Sequence, residues 1–245
     1  MSSPVKLYQR EMHTNLGFFA TWLPGDHLEL GEAGLMDGGR FRKMTSLAEL
    51  GISIDKSSAG PPQKAHYEST SGTKVTFAAG ADATPGTRGE ISVQFSKEGA
   101  FLFHSTGLRH TRIENRQAVA AAVLNAYDAG TWKKEWCLIE GLHTAERATI
   151  IVSEDTNAEI VLAAATDLPL AGISLADPKV ELNVSSTRGK LFHLIGGKQL
   201  HPLYSCLRLT DPWFGERSLE PVRGAADPGS RIMLERPSID ELLDS

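Results

Sequence analysis

The sequence lacks the motifs and long apolar runs that would identify an enzyme or a helical membrane protein. It contains no G-x-S-x-G elbow, no H-E-x-x-H, no paired C-x-x-C and no G-x-x-x-x-G-K-[ST] loop. We therefore predict that the protein is not an enzyme and has no catalytic residue, cofactor or metal site. No apolar run approaches the roughly 18 residues of a membrane helix. Residues Met1 to Pro4 carry no charged region leading into an apolar one, which predicts that no signal peptide is present.

Basic charge and cysteine are also scarce. The 245 residues include 25 Lys and Arg against 30 Asp and Glu, which gives a net charge of −5. A dedicated nucleic-acid binder usually shows a basic footprint, so we expect no nucleic-acid partner. The two cysteines, Cys137 and Cys206, lie in apolar runs and are predicted to be buried free thiols. Free thiols are typical of a reducing compartment, so we expect a cytoplasmic protein.

Alternation of apolar and polar residues is the strongest pattern that the sequence does have. Segments 72–81 and 90–98 alternate on both sides of a turn, and so do the two ends of the region 159–186. Period-two alternation around a turn is typical of an amphipathic β-hairpin. In the first hairpin we predict one shared face formed by Val75, Phe77, Ile91, Val93 and Phe95. In the second we predict another shared face formed by Ile160, Leu162, Val180, Leu182 and Val184.

The two hairpins also resemble each other. Residues 91–104 align with residues 180–193 without a gap, and both stretches end in an apolar strand that carries a histidine, His104 or His193. This alignment indicates one architectural unit used twice, although two amphipathic hairpins can also resemble each other by chance. A metal site at the two histidines would need further ligands at defined geometry, and the sequence shows none.

One long helix is predicted at 115–129, where the chain is rich in alanine and Val119 and Val123 have helical spacing. The segment after it, Trp132 to Trp136, suits either a membrane-interface anchor or a Lys-rich turn, and the turn is favoured. Five or more alternating segments against one long helix predict the fold class. It is α+β: a single domain with a twisted, mostly antiparallel sheet, two amphipathic hairpins and one main packing helix.

The composition changes at Gly215. From there on, seven acidic residues stand against four basic ones, and Pro221, Pro228 and Pro237 interrupt the chain. We therefore divide the protein into a domain, 1–214, and a charged C-terminal tail, 215–245. Near the end, Ile239, Leu242 and Leu243 share one face of a capped turn, so we predict that they dock the tail onto the domain.

The order of these elements resembles the pore-forming domain of gasdermins, particularly the short bacterial ones, over about residues 20–210. The segment Glu135 to Glu146 is similar to the strand that follows a helix in that family. The resemblance implies a membrane-permeabilising effector in antiviral defence, cytoplasmic while its tail holds it latent. It also implies that a protease activates the protein, which then binds a lipid membrane as a homo-oligomer through its hairpins. Bacterial gasdermins commonly carry a lipid-modified cysteine near the N-terminus, and this chain has none there.

Two other classes of function remain open at this point. A half-exposed antiparallel sheet in any α+β protein shows the same alternation, so the chain also suits a non-enzymatic binding or assembly module. Such a module would engage a protein partner through its hairpin edges or its tail. An enzyme whose site is built from scattered residues is the third class.

Overall fold

Strands form most of the described structure. The computed structural model describes residues 3–22, 28–78, 89–164, 175–177, 179–210 and 233–243. In chain order the elements are α1 (Pro4–Leu16), β1 (Phe19–Ala20), β2 (Glu32–Asp37), β3 (Arg40–Ser46), β4 (Gln63–Glu68), β5 (Thr73–Ala78), β6 (Glu90–Phe95), β7 (Phe101–Arg112), α2 (Arg116–Asp128), β8 (Cys137–Ser153), β9 (Ala158–Ala164), β10 (Leu182–Arg188), β11 (Leu191–Thr210), β12 (Met233–Glu235) and α3 (Ile239–Leu243).

Eight of these strands form the main sheet, which is built around the long strands β8 and β11. β11 pairs with one edge of β8, while β7 and β2 pair with its other edge. β3 and β4 extend the sheet next to β2 and β7, and the short strands β1 and β12 pair with β11. Every one of these pairings is antiparallel. The predicted α+β class with a mostly antiparallel sheet is confirmed.

The other four strands form a second sheet, which we call the hairpin sheet. Its order is β10-β9-β6-β5, so the two predicted hairpins join edge to edge through β6 and β9. The sequence pattern predicted each hairpin separately and did not predict that β6 pairs with β9. Within the described residues, no strand of the hairpin sheet forms a backbone ladder with the main sheet.

The predicted helix is observed as α2, and it buries Val119 and Val123. Asn115 occupies its N-cap position, but the Asn115 side chain accepts a hydrogen bond from the N–H of Asp55 at 2.9 Å and gives none to the helix. Trp132 is buried beside α2 rather than exposed at a surface, which favours the turn over the membrane anchor.

Helix α1 is longer than the sequence pattern predicts. Its start has recognisable signals, because Ser3 accepts a hydrogen bond from the N–H of Lys6 at the N-cap and Pro4 occupies the first turn. Gly17 ends the helix in the left-handed conformation, with a φ of 70°.

The core lies on both faces of the main sheet. Phe101 and Phe103 of β7 pack with Tyr8 and Met12 of α1. The residue between them, Leu102, points the other way and packs with Val93 and its neighbours in the hairpin sheet. β7 and β8 therefore separate α1 from the hairpin sheet.

Candidate functional site

The hairpin sheet has one apolar face. Strand register places Val75, Val93 and Ile160 in one row across the sheet, and Phe77, Ile91 and Leu162 in the next. Residues directly opposite each other on antiparallel strands share a face, so these two rows lie on the same side. The β6 and β9 members of both rows are buried, as is Phe95, while Val75 and Phe77 on the edge strand are half-buried. The two hairpins thus share one buried cluster rather than forming two separate faces.

The β10 end of this face is less regular. Val180 is buried but precedes β10, and Leu182 is half-buried. Val184 lies opposite Leu162, yet it is 40% exposed. Its exposure follows from its position, because β10 is the last strand of the sheet and no described strand covers its outer side. Val184 therefore differs from the other residues predicted for this face.

The opposite face of the hairpin sheet is polar and internally bonded. Glu159 of β9 lies next to Gln94 of β6 and Arg188 of β10 in the strand register. It accepts hydrogen bonds from Gln94 at 2.9 Å and from Ser92 at 2.8 Å, and it pairs with Arg188 at 3.3 Å. The hydrogen bond from Gln94 is the largest cause of a lowered pKa at Glu159, and the hydrogen bond from Ser92 is the next. The sheet therefore has one apolar and one charged, solvated face.

The second part of the site is residues 233–243, which we call the C-terminal segment. It begins with β12, which pairs with the end of β11, and continues to Arg236. Arg236 donates from Nε and Nη2 to Glu140 Oε1, both at 2.7 Å. Glu140 is buried in β8, and its other oxygen pairs with Arg116 of α2 at 2.5 Å. One buried carboxylate thus joins β8, α2 and the C-terminal segment.

The segment ends in α3, which packs against α1 and β2. Leu242 and Leu243 are both 1% exposed, and Ile239 is partly buried. On the surface, Asp240 pairs with Arg10 of α1 at 2.9 Å. The three residues predicted to dock the tail therefore lie on or in the core, whereas residues 215–232 of the predicted tail are outside the described residues.

Leu242 belongs to the same buried cluster as two cysteines. Cys137 and Cys206 are both buried free thiols in the cluster that contains Leu242. The two thiols hydrogen-bond to each other, which lowers the pKa of Cys137, while burial raises the pKa of Cys206. We therefore expect alkylating reagents to modify these two thiols faster when α3 is displaced.

Two histidines stack in the main sheet near the start of β1. His110 of β7 and His143 of β8 are directly opposite each other, with ring centroids 4.3 Å apart and an interplanar angle of 8°. Phe18 contacts both rings edge-on, at 5.4 Å and 4.3 Å. Burial lowers the pKa of His143 to about 4 and also lowers the pKa of His110.

The histidines of the sequence repeat do not meet. His104 lies opposite Thr149 on one side of β8, and His193 lies opposite Ile151 on the other side. His104 instead contacts His66 and accepts a hydrogen bond from the N–H of Leu175 at Nδ1. Within the described ranges, no group of three or more potential ligands could hold a metal ion.

The outer strand of the main sheet, β3, carries an exposed basic surface. Arg40, Arg42, Lys43 and Met44 are all exposed, and Met44 reaches 49%. Lys43 pairs with Glu32 at 3.0 Å, and this hydrogen bond raises the pKa of Lys43. Arg40 and Arg42 thus lie beside an exposed apolar side chain, and Arg40 is directly opposite the exposed Asp37 of β2.

Sequence reasoning missed Glu140, Arg236 and the histidine stack. Glu140 does leave a signal, because an acidic residue inside the apolar run 137–142 needs a cationic partner when it is buried. Nothing in the local sequence identifies Arg236 as that partner, since 96 residues separate the two.

Comparison with protein-family profiles and with curated protein sequences finds no match. Among solved structures, the chain has a weak structural similarity to the cryo-EM structure of the gasdermin A3 membrane pore. That match covers 88% of this chain and 97% of the other, with a TM-score of 0.35 and 11% sequence identity. In the described residues, no helix combines the length and the apolar character needed to cross a membrane.

Proposed function

We propose that this protein permeabilises membranes in the manner of a gasdermin, and that its C-terminal segment holds it latent. The observation that carries the proposal is the hairpin sheet. In the described part of the chain it consists of the two hairpins, it attaches to the main sheet by its apolar face, and its other face is polar. Strands with one apolar and one polar face are what a transmembrane β-strand requires.

The hairpins would have to lengthen in a membrane. β5 and β6 have six residues each, and β9 and β10 have seven, whereas a membrane-spanning strand needs about 9–11. The chain between the strands of each hairpin, residues 79–89 and 165–181, supplies enough length to extend both strands. In the extended state the face of Val93 and Ile160 would contact lipid, and the face of Gln94 and Glu159 would contact water.

The edges of the hairpin sheet support assembly into an oligomer. β5 and β10 are its outer strands, and neither pairs with another strand in the described part of the chain. Because a bilayer offers no water to unpaired backbone groups, membrane strands must pair with a neighbour on both edges. Antiparallel pairing of β5 in one copy with β10 in the next would satisfy this condition and build a ring of identical subunits.

The exposed arginines of β3 support the proposal that the protein binds a lipid membrane. Arg40 and Arg42 would be attracted to the negative surface of an anionic membrane, and the exposed Met44 would insert at the interface. Removal of the C-terminal segment by a protease that cuts within 215–232 is the activating step we propose.

A cysteine scan along β6 tests the membrane strand. In a background that carries Cys137→Ala and Cys206→Ala, single cysteines replace Ile91, Ser92, Val93, Gln94 and Phe95 one at a time, and each carries a fluorophore that nitroxide-labelled lipid quenches on contact. On vesicles of phosphatidylcholine and phosphatidylserine that contain this lipid, the protein truncated after Phe214 should be quenched at 91, 93 and 95 and remain unquenched at 92 and 94. Uniform quenching, or no quenching at any position, would exclude β6 as a membrane strand.

The second candidate function is the non-enzymatic binding module. The unpaired edges of β5 and β10 favour it as well, because an exposed edge can accept a strand from a protein partner. For this function the hairpin sheet stays folded when it acts. The fluorophores at 91, 93 and 95 would then remain in the protein core whether or not vesicles are present.

A further inference from the structure

A short piece of chain between β9 and β10 lies buried against the main sheet. It comprises residues 175–177, which we call the hairpin linker, and it forms no strand with either sheet. Leu175 belongs to the buried cluster that also contains Leu102 and Ile151 of the main sheet. Buried backbone groups need hydrogen-bond partners, and the hairpin linker has no strand ladder to provide them.

Three side chains of the main sheet provide these partners. The N–H of Leu175 donates to Nδ1 of His104 at 3.0 Å, and Oγ1 of Thr149 donates to the carbonyl of Leu175 at 2.7 Å. Oγ1 of Thr106 donates to the carbonyl of Ala176 at 3.0 Å. His104 and Thr149 are directly opposite each other on β7 and β8, and Thr106 is two residues further along β7, so all three share one face.

We propose that His104, Thr106 and Thr149 form a latch on the second hairpin, and that a proton on Nδ1 of His104 opens it. A ring nitrogen that carries a proton cannot accept the hydrogen bond from the N–H of Leu175, so protonation and attachment exclude each other at this atom.

The inference rests on the proposed function and adds a step to it. Residues 165–181 are the chain that would lengthen β9 and β10, and the hairpin linker lies within them. Its backbone cannot join either strand while it is bonded to the main sheet, because each of the bonded groups would be needed for the new ladder. Opening of the latch would therefore precede extension of the second hairpin.

Linkage fixes the direction of the pH effect. Burial first, and then the charge of His66, lower the pKa of His104 to about 3 while the hairpin linker is attached. The linker is itself part of this burial, because the N–H of Leu175 occupies the position at Nδ1 that water takes after release. The pKa of His104 is therefore higher in the released state. Attachment is fully favoured above that released-state pKa and weakens as pH falls from it toward about 3.

The charged groups around His104 affect the size of this change. From β4, His66 lies directly opposite His104, with ring centroids 3.6 Å apart, and it pairs with Glu68 at 3.2 Å. His66 stays in place in both states, so its charge holds the released-state pKa of His104 below the ordinary value of about 6.5. Arg147 of β8 and Asp177 of the hairpin linker are also charged, and neither is a cause of the lowered pKa of His104.

Hydrogen exchange of the Leu175 amide measures attachment of the hairpin linker in the full chain. Its protection factor, which is corrected for the intrinsic effect of pH on exchange, should fall about three- to tenfold between about pH 7.5 and about pH 5.5. The Ser153 amide, which donates to the carbonyl of Ala100 at 2.8 Å, should keep its protection factor. A constant protection factor at Leu175 would overturn the proposal. An equal fall at Ser153 would also overturn it, because the main sheet would then open as a whole.

The variant His104→Asn separates the acceptor from the proton. The Asn side-chain oxygen takes the place of Nδ1 as an acceptor and does not titrate. The Leu175 amide should therefore stay protected, with the same protection factor at both pH values. A fall as large as in the native sequence would overturn the proposal, because another group would then be responsible.

The variant Thr106→Val tests the latch without any titration. It removes the donor to the carbonyl of Ala176 and should lower the protection factor of the Leu175 amide about two- to tenfold at both pH values. The matched control is Thr131→Val, which removes a bond of the same kind and length to the carbonyl of Ala126 and should leave Leu175 unchanged.

Unchanged protection at Leu175 in Thr106→Val would overturn the proposal, even if His104→Asn does not fold. All of these measurements are made without membranes. A failure of the latch is therefore distinguishable from a failure of the permeabilising function, which only vesicles test.

Discussion

Glu140 illustrates how much of the proposed latency depends on single residues. It is a carboxylate inside a strand, with 2% of its side chain exposed, and arginines from α2 and from the C-terminal segment hold its two oxygens. Removing one partner from a buried pair costs about 3–5 kcal/mol when the remaining charge is left alone. Because Arg116 stays beside Glu140, the loss of Arg236 should cost less than that.

We predict that Arg236→Gln weakens docking of the C-terminal segment by roughly 1–3 kcal/mol. The matched control is Arg10→Gln, which removes the exposed pair to Asp240 and should cost under about 1 kcal/mol. Hydrogen exchange of the amides in 233–243 measures both effects. Equal protection in the two variants would show that the buried pair does not hold the segment.

A second residue-scale prediction concerns the two faces of β6. Val93 is fully buried between β5 and β9, whereas its neighbour Gln94 is exposed on the other face. Val93→Lys should lower the free energy of unfolding by roughly 3 kcal/mol or more, because it buries an unpaired charge. Gln94→Lys should change it by about 0.5 kcal/mol or less. Chemical denaturation measures both, and similar losses would contradict the assignment of the faces.

At the scale of elements, the local sequence predicted individual strands and helices but not how they pair. The alternation around Val93 and Ile160 identified β6 and β9, and the alanine-rich run identified α2. The pairing of β6 with β9 could not be predicted, because the two strands are far apart in the chain and alternation carries no information about partners. For the candidate site, the spacing of Leu242 and Leu243 predicts that they share a face, and both are buried in the structure, whereas Arg236 has no local signal.

The element α3 gives a prediction about the thiols it covers. Leu242→Ala should weaken docking by about 2 kcal/mol or more and so raise the rate at which iodoacetamide modifies Cys137 and Cys206. Ile239→Ala, at a partly buried position on the same helix, should raise the rate less. Mass spectrometry of the intact protein measures the rates. An unchanged rate in Leu242→Ala would show that α3 does not shield these cysteines.

At the scale of the whole molecule, the hairpin sheet and the C-terminal segment contact different parts of the main sheet. The hairpin sheet packs near Leu102 and Ile151, while the segment packs near Cys137 and Glu140. β12 contributes only three residues to the edge of β11, so we expect the main sheet to survive its loss. Truncation after Phe214 should therefore leave a folded domain, with a thermal midpoint lowered by several degrees as circular dichroism would measure it.

The most direct test of the central claim is dye release from vesicles by this truncated form. On vesicles of phosphatidylcholine and phosphatidylserine, the folded truncated protein should release the dye and the full chain should not. Gln94→Lys in the truncated form should retain release. Val93→Lys, compared at a temperature where circular dichroism shows that it is folded, should abolish release, because a lysine on the lipid-facing side costs roughly 2–4 kcal/mol at the bilayer midplane. A truncated protein that is folded and leaves the vesicles intact would contradict the account.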